Sequence, residues 1–245
     1  MSDKILNEQG LDELIQKFMG DSKAEEDRVR DAISTKTLDP MLFALEMARE
    51  GGDNWIDGQM RYALRKSREM SLGDLKENLF GLLPDWEVME REESKPDLVC
   101  ENKRIIVELK SRSDTVKGEN LKDIYDKLLR NVTGQWRGYT GIFGFYLNKT
   151  RKSMAAPLRF TPPDNATGQQ RPSDERVLQT DGVLLWAIAA DPAQGIQPPY
   201  AKPNALYQVY EEVIDAMEKH GLKQIPVHAK EELLLLIKKN FNKHL

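Results

Sequence analysis

The chain has 245 residues, 40% of them apolar and 31% charged, with a formal net charge of −4. This is an ordinary globular balance with ample length for a hydrophobic core. The longest strictly apolar run, the eight residues Val183 to Ala190, is far short of the roughly 20 that a membrane-spanning helix needs. The N-terminal MSDKILNEQG lacks the basic-then-apolar order of a secretory leader, so a cytoplasmic protein is expected. A single cysteine, Cys100, excludes an internal disulfide and a multi-cysteine zinc site. His220, His228 and His244 show no ligand spacing.

In chain order, Leu11, Leu14, Ile15 and Phe18 follow a helical period. Asp39-Pro40 reads as an N-cap followed by the first helical residue, and Gly51-Gly52 as a stop. Asn54 and Ser71 read as further N-caps. The helix opened by Ser71 places Leu72, Leu75, Leu79 and Leu83 on one side, and Pro84 begins its exit. The period then falls to two in WEVME, DLVC and RIIVELK, between residues 86 and 110. Leu121, Ile124, Tyr125, Leu128 and Leu129 restore a helical face, and GIFGFYL, from Gly141 to Leu147, reads as a strand. Residues 155–180, with four prolines and many polar side chains, read as a long loop, a kind of segment that is often functional. Asp181 to Ala190 reads as a buried strand, and helices are expected over 204–220 and 227–241. The order predicts an α/β fold with a mixed central sheet flanked by helices. It is read as a single domain, 1–245, with a mainly helical part (1–83), a catalytic core (84–150) and a loop-rich, helical remainder (151–245).

The charge is unevenly spread. Residues 103–152 hold twelve Lys/Arg against five Asp/Glu, so a basic region stands inside an otherwise acidic chain. Such a region is suited to meeting phosphate, and it equally suits a solvated helix face. The glycines Gly134, Gly138, Gly141 and Gly144 lack the spacing of a nucleotide-binding loop. Trp136 and Tyr139, at a strand entrance, are better suited to a core than to base stacking.

The chemistry concentrates in Pro96 to Lys110. In RIIVELK, Ile105, Val107 and Leu109 share one strand face, and Ile106, Glu108 and Lys110 share the other. A two-residue turn at Asn102-Lys103, with asparagine tolerating positive φ, would pair Cys100 with Ile105, Leu98 with Val107 and Asp97 with Glu108. Two directly opposed carboxylates repel unless a cation lies between them. They are well placed to share Mg²⁺, which takes hard oxygen ligands, with Lys110 two residues along the same face. The same residues could form a partly buried ion pair at a sheet edge. The ten-residue spacing between Asp97 and Glu108, the hairpin, the following helix and the basic surroundings favour the metal site.

Pro96-Asp97 followed by Glu108-Leu109-Lys110 resembles the signature of the PD-(D/E)xK nuclease superfamily. The run from Glu108 to Thr115, the helix bearing Tyr125 and the segment Asn204 to Tyr210 resemble type II restriction endonucleases within it. After Lys110, Arg112-Ser113-Asp114 departs from the pattern of enzymes cutting GGNCC-like sites, so no recognition sequence follows. The resemblance implies catalytic Asp97, Glu108 and Lys110, with Asp97 and Glu108 holding Mg²⁺ and Lys110 acting on the attacking water and the phosphate. It implies hydrolysis of double-stranded DNA to 5′-phosphate and 3′-hydroxyl ends, by a homodimer accompanied by a cognate DNA methyltransferase. Members often carry an extra acidic residue on the preceding helix. Glu77 is the candidate, although its place off the leucine stripe equally suits an exposed glutamate. Arg112, Lys117, Lys149 and Arg151 are candidate phosphate contacts. Gln170 and Arg171 carry side-chain types that read base edges. A structure- or damage-specific repair nuclease of the same fold and a non-catalytic DNA-binding module are the alternatives.

Overall fold

The computed structural model describes residues 4–19, 52–112, 118–147, 154–164, 167–193 and 195–220. The first helix, α1 (8–19), is followed by α2 (Gly52–Phe80) and the strands β1 (Trp86–Val88), β2 (Leu98–Cys100) and β3 (Ile105–Arg112). Next come α3 (Gly118–Thr133), β4 (Thr140–Leu147) and the short strands β5 (Leu158–Arg159), β6 (Pro163–Asp164) and β7 (Gln169–Gln170). β8 (Val177–Asp181), α4 (Gly182–Ala190) and α5 (Ala205–Lys219) complete the order. Six strands form one mixed sheet in the order β1-β2-β3-β4-β8-β5, and β6 and β7 pair as a separate hairpin. The sheet is parallel at β3–β4 and β4–β8 and antiparallel elsewhere. The helix α3 provides the crossover that parallel neighbours β3 and β4 require.

Alternation along β3 divides the protein into two cores. Ile105, Val107 and Leu109 pack with Leu11 and Ile15 of α1, Leu75, Leu79 and Phe80 of α2, and the apolar residues of α4 and α5. Ile106 faces the other way, joining Val99, Phe143 and Phe145 against Ile124, Tyr125, Leu128 and Val132 of α3. Each such side chain, fully buried, contributes about 1.5–3 kcal/mol. Trp136 is buried in this second core, and Tyr139, partly buried, packs against it. Glu108 and Lys110 extend from the α3 side of β3.

The hairpin register is the expected one: Cys100 pairs with Ile105 and Leu98 with Val107. The turn itself differs. It spans Glu101–Arg104, with Arg104 N–H donating to Glu101 O at 3.1 Å, and positive φ falls on Arg104 rather than Asn102. Two- and four-residue turns centred between Asn102 and Lys103 give the same pairing as far as Leu98–Val107; beyond it the ladder does not pair Asp97 with Glu108, and Asp97 N–H bonds Val107 O at 2.9 Å instead. The Lys103 ammonium donates to the carbonyls of Asp191 and Ala193 beyond α4, which anchors the turn.

Several expectations are corrected. Asp181–Ala190 is the end of β8 followed by the helix α4. The unbroken apolar run hid the period, because α4 is buried on nearly every side. The Asp181 carboxylate accepts from Leu184 N–H as the N-cap, and a side chain at Gly182 would stand 3.0 Å from the Tyr146 Cα. Residues 155–180 contain β5, β6, β7 and most of β8 rather than one long loop. Asn54 and Ser71 lie inside the continuous α2 instead of capping new helices. At 29 residues this helix is about 44 Å long. Leu72 is exposed, while Leu75, Leu79 and Phe80 are buried. The expected helix start at Asp39-Pro40 and the helix at 227–241 lie outside the described residues, as does Gly51 of the expected Gly51-Gly52 stop, while Gly52 is the first residue of α2.

The β6–β7 hairpin docks on α3. Asp164 is buried and lies 3.4 Å from Lys122 Nζ and 3.8 Å from Arg171. Arg171 also pairs with Asp126, and the Tyr125 hydroxyl donates to Pro172 O.

Two stability predictions follow from this packing. Trp186 is fully buried, stacks on Phe80 with ring centroids 4.1 Å apart and donates Nε1–H to the Tyr146 hydroxyl at 3.2 Å. Trp186→Ala is expected to cost about 3–5 kcal/mol in denaturant unfolding, whereas Leu158→Ala at an exposed edge should stay within about 0.5 kcal/mol. Asp164→Ala should cost about 1–2 kcal/mol, because Lys122 and Arg171 lose their common carboxylate while staying partly solvated. Limited proteolysis of that variant should reveal new cleavage between residues 163 and 171; an unchanged digestion pattern would contradict the anchoring role.

Candidate active site

Asp97 stands where β2 begins and is held from three sides. Its N–H donates to Val107 O at 2.9 Å, its carbonyl accepts from Met89 N–H at 3.0 Å, and its Oδ2 accepts from Leu109 N–H at 2.6 Å. The last bond draws the carboxylate across the hairpin towards β3. Glu108, on β3, is only 5% exposed, and both of its oxygens are engaged. Lys110 Nζ donates to Oε1 at 2.9 Å, and Lys127 Nζ, from α3, donates to Oε2 at 2.7 Å. Lys110 Nζ is also 3.8 Å from Asp97 Oδ2. Its ammonium therefore lies against both carboxylates, on the strand face expected from alternation.

Negative charge is crowded here. Burial pushes the Asp97 carboxyl above the ordinary aspartate range, and the neighbouring Glu108 charge adds to this, partly offset by Lys110. Burial pulls the Lys110 ammonium down, but Glu108 and Asp97 outweigh it and leave its pKa raised. Glu77 is also raised, first by burial and then by the Asp97 charge, with Arg91 at 3.6 Å as its cation. The Glu77 side chain is 20% exposed and faces this region. Phe80 adds to the buried side of α2 and widens it beyond the leucine stripe, which is why a wheel drawn on leucines alone places Glu77 too far out.

The donor chemistry fits a hard divalent cation. Asp97 and Glu108 offer carboxylate oxygens, and an ammonium already touches both. Among the described residues no group of three or more His, Cys, Asp or Glu side chains forms a metal-binding cluster. Asp97 and Glu108 are the pair that would hold such a cation, with Glu77 a neighbour in charge. Mg²⁺ is commonly held by one or two carboxylates together with waters and substrate phosphates.

Lys127 is the site residue that sequence reasoning missed. It lies three residues after Ile124 and one before Leu128, both buried in the α3 core. A lysine beside the inward face of the helix that covers the Glu-x-Lys strand was the available signal. Among the other candidates, Arg112 closes β3 in register with Leu147. Lys117, Lys149 and Arg151 lie outside the described residues. Gln170 is exposed on β7, whereas Arg171 is engaged by Asp126 and Asp164. No described helix is long and apolar enough to cross a membrane.

Similarity to known proteins extends over most of the chain. The chain is 21% identical over 217 residues to the type II restriction enzyme Eco47II of Escherichia coli, a match covering 88% of this chain and 86% of that protein. The model of the Eco47II restriction endonuclease family matches residues 4–219, from the segment before α1 to the end of α5. With the match running across both cores and the paired carboxylates between them, the chain belongs to the Eco47II restriction endonuclease family.

Proposed function

We propose that this protein is a Mg²⁺-dependent type II restriction endonuclease of the cytoplasm. It hydrolyses double-stranded DNA at a specific sequence and leaves 5′-phosphate and 3′-hydroxyl ends. The observation that carries the reading is the Lys110 ammonium lying against Asp97 and Glu108, at 3.8 and 2.9 Å. A cation-seeking pair of carboxylates is thereby built on the central hairpin of a chain from a restriction-endonuclease family.

Asp97 and Glu108 are the residues that would hold Mg²⁺, which when bound would supply Lewis acidity at the scissile phosphate and acidify a neighbouring water. Their places on the hairpin would fix where that cation stands. Lys110, released from its two carboxylates, turns to the phosphate and the attacking water, where its charge offsets the negative charge that develops and its N–H groups orient the water. The water oxygen bonds to phosphorus and gives up a proton to bulk water as the P–O3′ bond breaks, and the departing 3′ oxygen takes a proton back from bulk water, so the protons balance. Glu77 adds negative charge behind Asp97 and strengthens the attraction for a cation.

Arg112, Lys117, Lys149 and Arg151 serve as phosphate contacts, which fix register without reading sequence. The exposed amides of Gln169 and Gln170, on the hairpin docked against α3, suit base-edge hydrogen bonds. Arg171 reaches DNA only by giving up Asp126 and Asp164. Cutting both strands of a palindrome is met most simply by a homodimer, and a cognate methyltransferase protects the host DNA.

A plasmid digest with Mg²⁺ is expected to give discrete bands; smearing, or cutting confined to branched DNA, would reassign the substrate. Asp97→Ala, Glu108→Ala and Lys110→Ala are each expected to slow cleavage by about a thousand-fold or more, equivalent to ~4 kcal/mol, with the fold retained by circular dichroism. Near wild-type cutting by Glu108→Ala would remove the basis of the assignment. Without metal, Asp97→Ala should bind DNA at least as tightly as the native protein, because a carboxylate near phosphate is gone.

Specificity is tested by binding to cognate and one-base-altered duplexes at several salt concentrations. Gln170→Ala should lose about 1–3 kcal/mol of discrimination. Lys149→Ala and Arg151→Ala should weaken binding to both duplexes alike and flatten the salt dependence. Full discrimination retained by Gln170→Ala would place base reading elsewhere.

A further inference from the structure

Glu108 is the most buried acid of the site, and its two cations occupy different positions. Lys110 comes from the same strand, has a side chain 38% exposed, and touches Asp97 as well as Glu108 Oε1. Lys127 comes from α3, has a side chain 15% exposed, and has Glu108 as its only ion-pair partner among the described residues. The two ammonium groups hold opposite oxygens of one carboxylate. A cation entering between Asp97 and Glu108 therefore competes with Lys110 for Oε1, while Oε2 keeps Lys127.

We infer that Lys127 is a positioning residue, which holds Glu108 through Oε2 so that Oε1 is presented to the cation shared with Asp97. The terminal torsion of a glutamate is broad and roughly two-fold, so a side chain emerging from β3 does not by itself fix which oxygen faces Asp97. A charge-assisted bond of 2.7 Å from a separate element does so. It also offsets part of the cost of burying the carboxylate. The helix is a firm base for this. Ile124, Leu128 and Val132 lock α3 against the sheet, and Asp126, adjacent to Lys127, is paired with Arg171 of the docked hairpin. The mechanism proposed above uses Lys110 at the reacting phosphate; Lys127 acts one bond away, through Glu108.

This inference rests on the proposed metal site, so its test measures metal binding apart from cleavage. Mn²⁺ binding to the DNA-free protein, followed by electron paramagnetic resonance, is compared among the native protein, Lys127→Met, Lys127→Arg, Asp97→Ala and Glu108→Ala. Lys127→Met should weaken Mn²⁺ binding by about ten-fold or more, as loss of an orienting partner does at metal sites. Lys127→Arg, which keeps the charge and the donors, should stay within about three-fold of the native protein on the same scale. Simple removal of a positive charge would act the other way and tighten Mn²⁺ binding. Unchanged or tighter binding by Lys127→Met, with Asp97→Ala and Glu108→Ala impaired, overturns the positioning role and leaves the metal site standing. Native binding by all four variants overturns the metal site, and this inference with it. If Lys127→Met does not fold, Lys127→Gln takes its place, with the same expected direction and the same contradicting result.

Discussion

The buried carboxylate of Glu108 is the constraint around which the site is arranged. An anion that is 5% exposed in the middle of a sheet must be matched by cations, and the protein supplies one from each side: Lys110 along β3 and Lys127 down from α3. Asp97, drawn across the hairpin by Leu109 N–H, then brings a second carboxylate to the same place. The outcome is a cluster held together by charge, in which a lysine occupies ground that a divalent cation would contest. Burial raises the Asp97 carboxyl and the Glu108 charge raises it further, and Lys110 only partly offsets this.

The rest of the fold keeps that cluster in place. One face of β3 is fixed by the large core shared with α1, α2, α4 and α5, and the other by the smaller core under α3. Gly144 lets α4 approach closely; a Cβ there would stand 2.8 Å from Leu185 Cδ2 and 3.2 Å from Leu109 Cδ1. Leu109 lies between Glu108 and Lys110, so packing on one side of the sheet bears directly on the strand that presents the chemistry on the other. The β6–β7 hairpin is tied to α3 through Lys122 and Asp126, placing the exposed Gln169 and Gln170 on an element anchored to the helix that covers β3.

Much of this was legible in the sequence. Alternation in RIIVELK fixes which residues share a face, and turns of two or four residues about the same centre give one register, so the pairing of Cys100 with Ile105 and Leu98 with Val107 does not depend on the turn type. What was illegible has physical causes. An apolar run such as GVLLWAIAA has no polar positions to reveal its period, so by sequence alone α4 resembles a buried strand. Strands of two residues, such as β5, β6 and β7, carry too few positions to alternate. The basic excess of residues 103–152 was only partly a surface property: Lys103 caps carbonyls beyond α4, Lys122 binds Asp164, and Lys127 binds Glu108. Charge counting cannot distinguish a lysine turned inward from one offered to phosphate.

The central claim is that a divalent cation sits between Asp97 and Glu108. Replacing Mg²⁺ by Fe²⁺ and generating hydroxyl radicals at the bound iron with ascorbate and peroxide cuts the polypeptide close to the ion. Mapping the fragments locates the site directly. The account predicts two clusters of cuts, one beside Asp97 and one beside Glu108, both suppressed by excess Mg²⁺. Mg²⁺-sensitive cuts confined to other segments of the chain would contradict it.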